Sequence, residues 1–159
     1  MPPTDLNDFF VAAVTASASF IGLLFVAMSL IADRSNKDAK RIATENILAE
    51  SSYIALLNIF FISFVALIPH TTIGYVTVAV ALLGLSNSKR LIHVGTQSGV
   101  ARSILGVTTL VYAFEVAFGV YILIHGNHVV NEYTLLAIFL FLFGSALGRA
   151  WELTGIRNS

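Results

Sequence analysis

Glu115 is the residue whose chemistry stands out most against its surroundings. It lies at the centre of VTTLVYAFEVAFGVYILI, residues 107–124, a run that carries no other charge. A helix of that length matches the hydrocarbon core of a bilayer. A carboxylate at mid-depth costs roughly 2.5–3.5 kcal/mol on insertion scales, so Glu115 is expected to face protein or water and not lipid. Thr108, Tyr112, Glu115, Gly119 and Ile122 recur at helical spacing and share one face. Counted from the cytoplasmic end (assigned below), Glu115 and Asn58 both come out about 16 Å deep, with Gly22 and Thr77 near the same level. The spacing predicts a mid-membrane polar layer of Glu115, Asn58, Thr77 and Tyr112, continued by Thr108, with Gly22 giving room. Such a layer can fasten helices through a protonated or hydrogen-bonded Glu. It can also bind a small cation or a proton on its way through the membrane.

Arg149 is a second ionisable group inside an apolar stretch, about a turn from the end of the last span, where it can snorkel. Glu152 at i+3 and Glu50 at similar depth predict a structural ion pair, Arg149–Glu50 or Arg149–Glu152. The sharper alternative is an anion-attracting ring in an oligomer. Gly144 and Gly148 have the Gly-x-x-x-Gly spacing that permits close helix crossing, within or between subunits. Thr15, Ser19, Gly22, Val26 and Ser29 form another mostly small stripe, expected to pack against a neighbouring helix. His70, His125 and His128 fall on one side of the chain, near Glu132. They are candidates for Zn or Cu, but interfacial histidines are the better reading. No metal and no cofactor are expected.

The elements that must position these groups are long and apolar. Of 159 residues, 57% are hydrophobic and 11% charged, against about 25% charged in a soluble domain. The apolar residues come in blocks, which decides for a membrane protein over a soluble core. Zero net charge gives no argument for nucleic acid as a partner. The absence of Cys excludes disulfides, thiolate metal sites and a Cys nucleophile. The opening MPPTDLND is acidic and lacks the basic region of a signal peptide.

In chain order the reading is an all-α integral membrane bundle forming a single transmembrane domain over 1–159. Its five spans lie at about 9–32, 47–68, 71–90, 104–125 and 133–152. Ser35 and Asp38 look like a helix start, so helix two is expected from about 36, with Lys37, Arg41 and Glu45 on a cytoplasmic stalk. Pro69 stops it, and His70-Thr71-Thr72 turns the chain back. The breaker Gly95-Thr96-Gln97-Ser98-Gly99 precedes span four, and Trp151 is placed like an interfacial anchor. With five spans, all nine Lys and Arg fall on one side. The positive-inside rule then puts the N-terminus outside and the C-terminus in the cytoplasm. The run ASASFIGLLFVAMSL, residues 16–30, follows Asn7-Asp8-Phe9-Phe10. It resembles the opening of an uncharacterised family of small bacterial multi-spanning inner-membrane proteins that share the pattern ASxSxIGLLFVAxSL. The resemblance covers about the first fifth of the chain. It implies a multi-pass protein of the inner membrane and brings no activity or site residue with it.

No Gly-x-Ser-x-Gly, Walker loop, dinucleotide fingerprint or zinc-protease motif is present, and the chain reads as no enzyme. The leading expectation is a small homo-oligomeric ion channel or transporter in the lipid bilayer, with a permeation route at a symmetry axis or between subunits. The alternatives are a non-transporting sensor or partner subunit acting through its basic cytoplasmic connectors, and an intramembrane enzyme.

Overall fold

The computed structural model describes residues 4–32, 39–69, 71–94, 99–130 and 132–153. They form five helices: α1 (Thr4–Ala32), α2 (Ala39–Ala66), α3 (Ile73–Val94), α4 (Gly99–His125) and α5 (Glu132–Leu153). A short 3-10 turn, Asn127–Val129, joins α4 to α5, and there is no strand among the described residues. Four stretches are long and apolar enough to cross a membrane: Leu6–Ser29, Ile47–Ala66, Gly106–His125 and Tyr133–Ala150. This is the composition of a membrane protein. α3 is 22 residues long, but Ser86, Asn87, Ser88 and Lys89 interrupt its apolar run after Leu85. The expected start of helix two near 36, with its Ser35 cap, lies outside the described residues.

The helix ends follow from local chemistry. Pro69 has no N–H and disfavours helical geometry in the residue before it. α2 accordingly ends at Ala66 and tightens into short bonds, Leu67 N–H to the Phe64 carbonyl at 3.2 Å and Ile68 N–H to Val65 at 3.0 Å. α4 stops at Gly126, whose φ of 89° suits a residue without a side chain. Asn127 then clasps the two turns together. Its Nδ2 donates to the Thr71 carbonyl at 2.6 Å, and its Oδ1 accepts from the Ile73 N–H at 3.3 Å.

That clasp joins the chain just past α2 to the chain just past α4. At the opposite end, Arg149 bonds to both Ser51 and Thr108. α2 and α4 therefore run parallel, and α3 runs back between them. α2 is the central element, packed against α1, α3 and α5, while α4 lies mainly against α3. Lipid tails are as apolar as Leu, so close packing and polar contacts hold membrane helices together. The α3–α4 approach has that character. A Cβ at Gly74 would sit 2.8 Å from the Gly119 carbonyl oxygen, and one at Gly119 would sit 2.8 Å from Val78 Cγ2.

Three of the glycines named in the sequence, Gly22, Gly144 and Gly148, are not used for packing inside the subunit. Nothing lies within 4 Å of a Cβ placed at Gly22, Gly144 or Gly148. Thr15, Ser19, Gly22, Val26 and Ser29 are all exposed, so the small stripe of α1 faces away from the bundle. The inward face of α1 is instead Phe10, Ala13, Ser17 and Leu24. Aromatic area explains the choice. Phe9 stacks on Phe139 at 5.7 Å and Phe20 meets Phe143 at 5.6 Å, which brings more surface into contact than small residues offer. The stripe hydroxyls need no neighbour, because Thr15 and Ser19 donate back to Val11 and Thr15 carbonyls at 2.8 Å.

Two glycine substitutions separate these environments. Gly119→Ala should lower stability in detergent by about 1–3 kcal/mol, because Val78 and Thr77 must move. Gly22→Ala should stay within about 0.5 kcal/mol or stabilise slightly. Thermal unfolding of the purified protein checks both, and equal effects would contradict the helix arrangement.

Candidate functional site

The inward face of α4 carries the site. Thr108, Tyr112, Glu115, Gly119 and Ile122 are all buried, so the helical periodicity read from the sequence is the face that turns inward. Gly119 sits at the α3 contact, next to Thr77. One turn earlier Glu115 is wholly buried, at 0% exposure, and Asn58 of α2 is 1% exposed. Asn58 Nδ2 donates to Glu115 Oε2 at 2.9 Å. Two residues 57 positions apart, placed at one depth by counting helical rise, thus meet directly.

The pair is incompletely bonded. Glu115 Oε1, Asn58 Oδ1 and the Ser63 Oγ of α2 are buried without a hydrogen-bond partner. Each such atom costs about 1–3 kcal/mol where water cannot reach it. Native proteins hold few of them, so two on one bonded pair call for a physical cause. Thr77 does not reach the pair through its hydroxyl, which donates to the Ile73 carbonyl of its own helix at 3.0 Å. The Tyr112 ring packs onto Gly84 of α3, where any Cβ would overlap it.

A second polar layer lies about 10 Å along α4, two turns from Glu115. Arg149 of α5 is 5% exposed. Its Nη2 donates to Thr108 Oγ1 at 2.8 Å, and its Nη1 donates to the Ser51 carbonyl at 3.2 Å and to Ser51 Oγ. Thr108 is therefore a partner of the guanidinium. Charge-assisted bonds of this kind are among the stronger ones, and they let the cation sit deep in the bundle. Glu50, the neighbour of Ser51 in sequence, is exposed. The side chain of Glu152, like His70, lies outside the described residues. His125 and His128 are exposed, and the His125 ring lies 4.3 Å from that of Tyr121. Among the described residues no three His, Asp or Glu side chains group as metal ligands.

Sequence reasoning missed Ser51, Ser63 and Gly84. Ser51 had a signal, since it adjoins Glu50 at the depth of Arg149. Ser63 and Gly84 had none, because membrane helices carry many small residues.

Asn58→Leu removes the donor that Glu115 uses and should lower stability by about 3 kcal/mol. Glu115→Gln keeps the shape and should cost less than about 1.5 kcal/mol. A double-mutant cycle of Asn58→Leu with Glu115→Leu in detergent should show coupling above about 1 kcal/mol. Additive effects would mean that the two residues do not act as a pair.

Compared with protein-family models, curated proteins and solved structures, the chain matches none.

Proposed function

We propose that the chain is a multi-pass protein of the bacterial inner membrane that carries a proton, or less readily a small cation, across the bilayer by way of Glu115 and Asn58, and that it works as a homo-oligomer. The observation that carries this reading is the pair of unbonded acceptors on one hydrogen-bonded couple, Glu115 Oε1 and Asn58 Oδ1. A helix fastener gains by bonding both. A proton on Oε1 converts that atom to a donor, and Asn58 Oδ1 is an acceptor without a donor. A hard metal cation prefers about six oxygens and is served less well by two.

The complete burial of Glu115 favours a carrier over an open pore. A conducting pore keeps its polar groups wet, whereas a carrier passes through occluded states. The carboxyl is also turned into the subunit, so a shared axis between copies is not its route. Homo-oligomerisation is supported by the exposed Gly144–Gly148 face, whose small residues suit contact with another membrane helix.

Five crossings are supported by topology. α2 and α4 run parallel, so if both span the bilayer α3 must return across it. Lys89 and Arg90 then lie at the end of α3 that shares a side with Arg149. The basic residues gather on that side, which favours an external N-terminus and a cytoplasmic C-terminus.

Purified protein in liposomes under a pH gradient, followed with a trapped pH dye, should move protons. Glu115→Gln should reduce the rate at least tenfold while the protein stays folded. Absence of flux in the native protein under any gradient, or unchanged flux in the variant, overturns the reading.

A further inference from the structure

The Asn58–Glu115 bond spans a gap. α2 and α4 both pack on α3, but their backbones barely meet each other. At mid-depth they are tied by side chains, Asn58 Nδ2 to Glu115 Oε2 at 2.9 Å. The strength of this tie depends on a proton. An ionised carboxylate only accepts hydrogen bonds. With Nδ2 bonded to Oε2, Glu115 Oε1 and Asn58 Oδ1 are two acceptors with no donor for either. A proton on Oε1 makes that atom a donor. The terminal torsions of Glu and Asn are broad, so the two planar groups can turn edge to edge. Oε1–H then donates to Oδ1. One proton thus satisfies both open atoms and doubles the bonds between α2 and α4. It does so without water, in keeping with a pair that is 0% and 1% exposed.

We propose that a proton on Glu115 Oε1 is a latch: it closes a second hydrogen bond, to Asn58 Oδ1, that holds α4 to α2, and its release parts the two helices. The inference rests on the proton-carrier reading for its purpose and adds the movement that proton binding drives. On release the O–H bond breaks, the electron pair stays on the carboxylate, and the proton passes to a water that enters as the helices part. The carboxylate left behind repels Oδ1 and is solvated by that water, so the ionised form favours the parted state. The proton binds the closed state more tightly, because only there does it make the second bond. Protonation and closure therefore favour each other to the same extent. The surroundings leave the titration to Glu115. Among the described residues, α2 and α3 turn only uncharged polar side chains into the bundle, such as Asn58, Ser63, Thr77 and Ser88. On α4 the neighbouring titratable group is Tyr112, one turn away, and α5 brings Arg149, held two turns away by Ser51 and Thr108.

The chain contains no Cys, so pairs of spin labels report on the helices without background. Phe61→Cys on α2 and Phe114→Cys on α4 place labels at exposed positions within about one turn of the pair. Leu82→Cys with Phe114→Cys measures α3 against α4 instead. In lipid nanodiscs the α2–α4 distance should lengthen by about 2 Å or more as the pH is raised from acidic to alkaline, with α3–α4 unchanged. Glu115→Gln offers an Nε2–H to Asn58 Oδ1 at every pH and should keep α2–α4 at its short distance throughout. The infrared difference between the native protein and Glu115→Gln should show the carbonyl stretch of a protonated carboxylic acid, fading over the same pH range. An α2–α4 distance that ignores pH, one that moves equally in Glu115→Gln, or an absent carbonyl band overturns the latch. Phe64→Cys with Leu110→Cys repeats the measurement if the first pair misfolds. Parting with pH in a protein without proton flux upholds the latch and overturns the carrier reading alone. Glu115-dependent flux at a fixed α2–α4 distance overturns the latch alone.

Discussion

Inside a bilayer a polar side chain has no water to turn to, and that constraint organises this bundle. The bond from Asn58 to Glu115 is its clearest expression. The carboxyl lies on α4 and the amide on α2, two helices separated in sequence by the whole of α3. One charge-bearing side chain in lipid-like surroundings thus determines which helices must be neighbours and at what height. Arg149 does the same two turns away, drawing α5 against both α2 and α4 through Ser51 and Thr108.

The two layers differ in how completely they are bonded. The guanidinium is held by a carbonyl and two hydroxyls, a set that suits a cation needing several acceptors. The carboxyl has one donor, and its other oxygen, like that of the amide beside it, is left open. A group held by several bonds serves as a fixed strut. A partly bonded one retains the capacity to take up another proton or ligand, at a standing energetic cost. This contrast gives Arg149 a structural role and Glu115 the functional one in the proposed carrier.

Packing against that polar interior is managed by close backbone approach on one side and by rings on the other. Gly74, Gly84 and Gly119 bring α3 to α4 and seat the Tyr112 ring, whereas Phe9, Phe10 and Phe20 attach α1 to the bundle. α1 is the most peripheral helix of the subunit, with its small polar stripe turned outward. The clasp by Asn127 closes the far end and fixes the common direction of α2 and α4.

Much of this was legible in the residues themselves. Apolar blocks of bilayer length, Pro69 and Gly126 marked the helices and their stops, because those features act locally. The inward face of α4 was legible for the same reason: periodicity alone aligns Thr108, Tyr112 and Glu115. The meeting of Glu115 with Asn58 could be anticipated, since equal depth in a bilayer restricts polar groups to partners at their own level. Depth does not say which neighbour is reached, and there the tertiary structure decided. It gave Arg149 to Ser51 and Thr108, left Gly22, Gly144 and Gly148 outside the subunit core, and chose Gly74, Gly84 and Gly119 for the tight contacts. A glycine or a serine looks the same in sequence whether it faces lipid or a helix. Only the rotation of each helix about its axis, set by the best total packing of all five, tells the two apart.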